Sequence, residues 1–149
     1  MNKQVQDVIT TIKKIECVKL SEENTLDDDT KSLKFEYDDE LFFMMVKCVS
    51  EEYIVLNTTN PISMENTTFK HSKLEVLNHF NTLAVGTKCI LSDQDKSHFL
   101  FVREEFIRLK DVFNKDLISA RLDLSIELIK SAVGIFESIN DEMNEDVQP

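Results

Sequence analysis

Two glycines and two prolines in 149 residues leave this chain nearly without the residues that make tight or strained turns. It must fold into long regular elements joined by short polar connections. The same scarcity narrows its chemistry. Nucleophile elbows, phosphate-cradling loops and dinucleotide fingerprints need glycines at set spacings, and Gly86 and Gly134 stand alone, one in a strand-like run and one in a helix-like run. A chain of this length is expected to form a single domain, residues 1–149, around one core.

The spacing of apolar residues supplies the elements. Val5, Val8, Ile9, Ile12 and Ile15 fall on one helical face and predict a helix over 3–17. Residues 21–31, SEENTLDDDTK, hold one apolar side chain and read as a mobile acidic loop. Asp27, Asp28 and Asp29 lack the spacing and glycine of an EF-hand, so they read as solvated charge rather than a cation site. Leu33, Phe35 and Tyr37 alternate with Lys34 and Glu36 as in a half-buried strand, and Asp38 and Asp39 supply a turn. The run ELFFMMVKCVS over 40–50 is almost wholly apolar. It implies a strand covered on both faces, or one that buries a second surface against a partner.

A third strand over 53–57 completes a meander, and Asn60-Pro61 breaks the pattern, with a loop to about Lys70. Ser72 and Glu75 cap a short helix whose buried side is read as Leu74, Leu77, Phe80, Leu83 and Ala84. Residues 84–92 and 98–109 form two further strands, with a bulge expected near Arg103. Asn114 caps the longest helix, which carries Ile118, Leu122, Ile126, Ile129, Val133 and Phe136 to about Asn140. Leu117, Leu124, Leu128, Ala132 and Ile135 widen its apolar stripe beyond what one sheet needs, which suggests extra burial, as in a homodimer. The acidic tail, 141–149, is expected to fray. The fold class that follows is α+β: an antiparallel sheet of about five strands in the order α-β-β-β-α-β-β-α, with helices packed on one face.

Charge and chemistry-bearing residues point away from catalysis. With 28 acidic and 17 basic residues, the net charge of −11 repels nucleic-acid backbones and anionic membranes. No apolar run approaches the roughly 20 residues of a membrane span, and MNKQVQDVITTIKK lacks a signal-peptide core, so a cytoplasmic location is expected. Cys17, Cys48 and Cys89 are widely separated and read as free thiols, buried except that Cys17 is the most exposed. His71, His79 and His98 are not spaced as metal ligands. Glu104 and Glu105 fall on opposite faces of a strand and cannot flank a substrate together. No catalytic residue, metal or cofactor is expected.

Ten phenylalanines and five methionines without tryptophan make adaptable apolar surface a candidate function, since Met and aromatic side chains accept varied partners. The plainer reading of Phe42, Phe43, Met44 and Met45 is core, but a two-layered fold covers only one face of that strand with its own helices. The run LNHFNTLAVGTKCILSDQDKSHFLFVREEF, followed by a long helix, places a helix, an Asn-containing turn and a hairpin in succession. In this and in element order along nearly the whole chain, the sequence resembles the type III secretion chaperones and the YbjN-like family. The resemblance implies a noncatalytic, often dimeric, acidic protein that holds a segment of a protein client or acts in regulation. Phe43 and Met45 on the second strand and Leu77 on the second helix are the residues expected to receive such a segment. The alternative is a small-molecule-sensing domain with an apolar pocket between the sheet and the third helix.

Overall fold

In the computed structural model, which describes residues 2–94 and 96–146, the chain runs α1 (Lys3–Lys13), β1 (Val18–Asp27), β2 (Thr30–Tyr37), β3 (Glu40–Cys48), β4 (Tyr53–Ser63), α2 (Lys73–Leu83), β5 (Lys88–Leu91), β6 (His98–Arg108), a 3-10 turn (Leu109–Asp111) and α3 (Lys115–Glu145). The strands form a six-stranded antiparallel sheet in the order β1-β2-β3-β4-β6-β5. The α+β class and the expected succession of elements hold, with one strand added. The chain is built as two compact units, the first from residues up to Thr59 with Glu104–Ile126, the second from Asn60–Arg103 with the residues from Glu127 onward. The boundaries fall inside β4, β6 and α3.

In the first unit, the Asn2 side chain accepts from the amides of Gln4 and Val5 and so caps α1, which buries Val5, Val8, Ile9 and Ile12. The helix ends at Lys13 rather than near residue 17, and Ile15 and Val18 remain buried as the chain turns into β1. The acidic stretch expected to be a mobile loop is largely this strand, paired with β2 from Val18↔Tyr37 to Asp27↔Thr30. The period-two signal is missing because β1 is an edge strand, where backbone pairing on one side suffices and charge is favoured over apolar side chains. At the turn, Asp27 Oδ1 accepts from the Asp29 amide at 2.8 Å, which holds the Asp27 carboxyl below the usual carboxylate range.

One acid of β1 turns toward α1. Glu23 accepts from Lys31 Nζ at 2.7 Å and lies 2.9 Å from Lys13 Nζ, while the buried Lys31 also donates to Gln6 Oε1 at 2.7 Å. The hydrogen bond from Lys31, then that from Lys13, holds the Glu23 carboxyl below its ordinary range.

The β2–β3 hairpin closes through Asp38 and Asp39, at φ 50° and 65°, between the paired Tyr37 and Glu40. Positive φ at both central residues is type I′ geometry, which matches the right-handed twist of the strands. It sets the phase of β3: Phe42, Met44 and Val46 are buried with Leu33, Phe35 and Tyr37, while Leu41, Phe43 and Met45 point to the other side. The rings of Phe35 and Phe42 stack at 5.8 Å. β3 is therefore covered on one face only. On β4, Ile54, Leu56 and Thr58 continue the buried face. The strand runs through Pro61, where a break was expected; pairing with β3 ends at Phe43↔Thr59, so the missing proline amide removes no bond on that side.

Asn114 caps α3 by accepting from the Leu117 amide, and the Thr11 hydroxyl of α1 donates to Val112 O at 2.6 Å within the core. On β6, Glu105 and Ile107 are buried in phase with Phe99 and Phe101, so the strand keeps its alternation past Arg103 where a bulge was expected. A carboxylate is tolerated at that inward position because Arg121 Nη1 lies 3.3 Å from it and the Ser125 hydroxyl 3.5 Å.

The second unit is organised around Phe136. Its ring meets Phe99 at 4.9 Å, Phe80 at 5.7 Å, Phe101 at 5.8 Å and Phe69 at 6.4 Å. α2 begins at the expected cap, with the Ser72 hydroxyl accepting from the Glu75 amide, but it buries Val76, Leu77 and Phe80 and leaves Leu74 and Leu83 exposed. Gly86 sits at φ 80°, a left-handed conformation that side chains with a Cβ rarely adopt, and its carbonyl oxygen accepts from Arg103 Nη1 at 2.9 Å. The helix continues past Asn140 to Glu145, where Asn144 donates to Thr68 O and accepts from the Lys70 amide; the expected frayed tail is thus helical up to that point, and residues 147–149 lie outside the described residues.

Two outcomes test this account. Because the folded pKa of Glu23 lies below its unfolded value, its stabilisation is complete above about pH 4.3 and is lost as pH falls through the folded value. Thermal melts of Glu23→Gln should show a loss of about 1–3 kcal/mol at pH 7, and the gap to the unsubstituted protein should narrow as pH falls from about 4.3 through the lower folded value of Glu23. Separately, Asp39→Gly should raise stability by about 1 kcal/mol in urea titration, because glycine adopts the left-handed conformation without a Cβ clash.

Candidate functional site

The face of the first unit's sheet that lies opposite α1 carries the candidate site. Period-two geometry places Leu41, Phe43 and Met45 in a row along β3, and they are 38%, 41% and 43% exposed. Beside them stand Ser32, Lys34 and Glu36 on β2 and Val55, Asn57 and Thr59 on β4, read from the pairs Lys34↔Phe43, Ser32↔Met45, Phe43↔Thr59 and Met45↔Asn57. Phe106 of β6 is 54% exposed and takes the Tyr53 ring edge-on at 6.2 Å. Both helical segments of this unit meet the opposite, buried face, through Val8, Ile9 and Ile12 of α1 and through Arg121 and Ser125 of α3 at Glu105.

The polar rim is partly self-paired. Lys34 Nζ lies 6.0 Å from the Phe43 ring centroid and 3.8 Å from Glu22. Asn57 Nδ2 donates to Glu104 Oε1 at 3.4 Å. Glu104 and Glu105 point to opposite faces, as expected, one exposed and one buried.

Both edges of the sheet are blunted. β1 carries register shifts between Leu20 and Glu22 and between Thr25 and Asp27, and exposes charged side chains. β5 spans four residues, and the Asn81 side chain occupies its outer edge, accepting from the Cys89 amide at 2.9 Å and donating to the Cys89 carbonyl at 2.8 Å. Strand addition is thus disfavoured at β1 by its bulges and charged side chains, and at β5 by a ladder already occupied.

Of the three residues expected to receive a partner, Phe43 and Met45 lie side by side on this face, whereas Leu77 is 8% exposed and belongs to the core of the second unit. Leu77 is buried because α2 turns its Val76, Leu77 and Phe80 edge inward. Leu41, Tyr53, Val55 and Phe106 were not singled out from the sequence. The usable signal for Tyr53 and Val55 was their parity, since Ile54 and Leu56 could face the core only by turning them outward. The extra apolar positions of α3 divide: Ala132 is buried, while Leu124 and Ile135 are 42% and 49% exposed.

Two clefts lie in the first unit near the start of β4. One, of about 480 Å³, is lined by Glu51, Glu52, Tyr53, Arg108, Leu109 and Lys110. The other, of about 470 Å³, lies between the end of β6 and the start of α3 and includes Tyr53, Glu105, Arg108, Leu117 and Arg121. Among the described residues, no group of three or more His, Cys, Asp or Glu side chains is arranged to hold a metal ion. His71 instead lies 3.2 Å from Glu75, and His98 beside Ser97. Cys17 is exposed, Cys48 half-buried and Cys89 buried, and burial pushes the Cys89 thiol up to about 12. No helix among the described residues is long and apolar enough to cross a membrane.

No family model, curated protein or solved structure matches the chain.

Alkylation of the native protein at pH 8, followed by mass mapping, should modify Cys17 within minutes and leave Cys89 unmodified until denaturant is added. Rapid native labelling of Cys89 would show that its strand opens far more readily than its packing implies.

Proposed function

We propose that the chain is a noncatalytic protein-binding domain, chaperone-like or regulatory, that holds a segment of a partner protein on the open face of the first unit's sheet. The observation that carries this reading is the exposed row Leu41, Phe43 and Met45, with Phe106 nearby, on a face that no helix of the same unit covers. Contiguous apolar side chains of this size are costly to leave in water and recur where proteins meet partners. The polar groups available for chemistry support it from the other side. Glu105 is occupied by Arg121 and Ser125, and the most deeply buried thiol is held in its neutral form. The order of helices and strands keeps the likeness to the secretion chaperones and YbjN-like proteins within the proposal. The free cysteines agree with a reducing compartment such as the cytoplasm.

Phe43→Asp and Met45→Asp should each abolish capture of the partner that the unsubstituted protein retains when purified from its native cell. Far-UV circular dichroism and Tm should stay within a few degrees, because both side chains already face solvent in part. Retention of the same partner by both variants would end the proposal.

A second reading, a small-molecule-sensing domain, draws on the cleft between β6 and α3, whose volume of about 470 Å³ lies within the range of ligand pockets. Its sign would be a ligand-induced rise in Tm that Arg121→Ala removes and Met45→Asp does not.

A further inference from the structure

The second unit holds a small cavity of its own. We infer that it binds a primary ammonium group carried on a short alkyl stem, the Asn140 side-chain oxygen and the carboxylates of Glu137 and Asp141 accepting its three N–H donors.

The site is assembled near the end of α3. Residues three and four apart are neighbours on a helix, so Glu137, Asn140 and Asp141 stand together, and with Met64, Thr67 and Phe136 they line a cavity of about 210 Å³. Asn140 is the decisive member, being 1% exposed. Its Nδ2 donates to Thr68 O at 2.9 Å, and Asn144 Nδ2 donates to the same carbonyl at 2.9 Å. Reversing the Asn140 amide would set Oδ1 against that carbonyl, acceptor against acceptor, so its orientation is fixed. Oδ1 is thereby left toward the cavity, and it has no hydrogen-bond partner among the described residues. A buried amide oxygen without a donor is costly, and it specifies what an occupant must bring.

The remaining groups set the sign and the shape of the occupant. Glu137 and Asp141 are exposed at the mouth, neither forms an ion pair among the described residues, and no Lys, Arg or His lines the cavity. Over the loop 64–70 and the helix from 133 to 145, Glu65, Glu137, Asp141, Glu142 and Glu145 are balanced by Lys70 alone. Lys130, two turns before Glu137, is already engaged elsewhere. The local field therefore favours a cation. A calcium ion would take about six to eight oxygens, whereas part of this wall is the Met64 thioether and the Phe136 ring, and no three His, Cys, Asp or Glu side chains converge among the described residues. An alkyl stem has that apolar wall to lie on while its charged head meets the three acceptors.

The test is titration of the full chain with pentylamine, followed in its amide proton-nitrogen NMR spectra. Pentylamine should shift the Thr67 backbone amide and the Asn140 side-chain amide saturably, whereas pentanol at the same concentration should not. Tetramethylammonium, which carries the charge without N–H donors, should bind about tenfold more weakly. The pair Glu137→Gln with Asp141→Asn should weaken pentylamine about tenfold, while the pair Asp123→Asn with Glu127→Gln, exposed on α3 and equal in charge change, should leave its affinity within about twofold. Asn140→Leu should remove binding; should that variant fail to fold, the Glu137 and Asp141 pair carries the test. Nα-acetyl-lysine methylamide presents the same ammonium on a peptide. Binding tighter than pentylamine assigns the group to a lysine of another protein, and weaker binding assigns it to a free amine. No saturable shift with either amine, tetramethylammonium binding as well as pentylamine, equal loss from both carboxamide pairs, or displacement of pentylamine by an equal concentration of calcium chloride would each overturn the inference.

Discussion

The two-residue turn at Asp38 and Asp39 decides the character of the first unit. A type I′ turn pairs Tyr37 with Glu40 and leaves no freedom in register, so Phe42, Met44 and Val46 must face α1 and Leu41, Phe43 and Met45 must face away. β3 is apolar on both sides, so hydrophobicity alone would accept either phase. The turn and the alternation of β2 break that symmetry, since Leu33, Phe35 and Tyr37 can be buried together only in one of them. What is left outside is a consequence of that choice: an apolar row with nothing of its own unit above it.

Charge is arranged around that consequence. The acids of β1 line an edge that would otherwise invite another strand, and one of them, Glu23, is drawn inward to hold the buried ammonium of Lys31. Glu105 is likewise held inside β6 by Arg121 and Ser125. Charged groups buried in this unit therefore have partners.

The second unit meets its own needs differently. Phe136 gathers the rings of Phe69, Phe80, Phe99 and Phe101, and Asn81 supplies to β5 the backbone contacts of a missing neighbour. That packing draws Leu77 inward and turns Leu74 and Leu83 out, so helical periodicity located α2 without settling which of its edges would be buried.

Local patterning in the sequence determined most of the element types, the caps at Ser72 and Asn114, the Asp38-Asp39 turn and the exposure of Cys17, because each depends on near neighbours. It also marked Phe43 and Met45, because a two-layered fold leaves one face of an all-apolar strand over. Tertiary structure alone decided that the acidic stretch pairs as β1, that β4 passes through Pro61, that Glu105 can be buried, and that Leu77 belongs to the core while Phe106 does not. Each of these turns on a partner distant in sequence: a backbone ladder at an edge, a strand that ends opposite the proline, an arginine one element away, a ring cluster. Periodicity reports how side chains are spaced, whereas burial depends on what arrives to cover them.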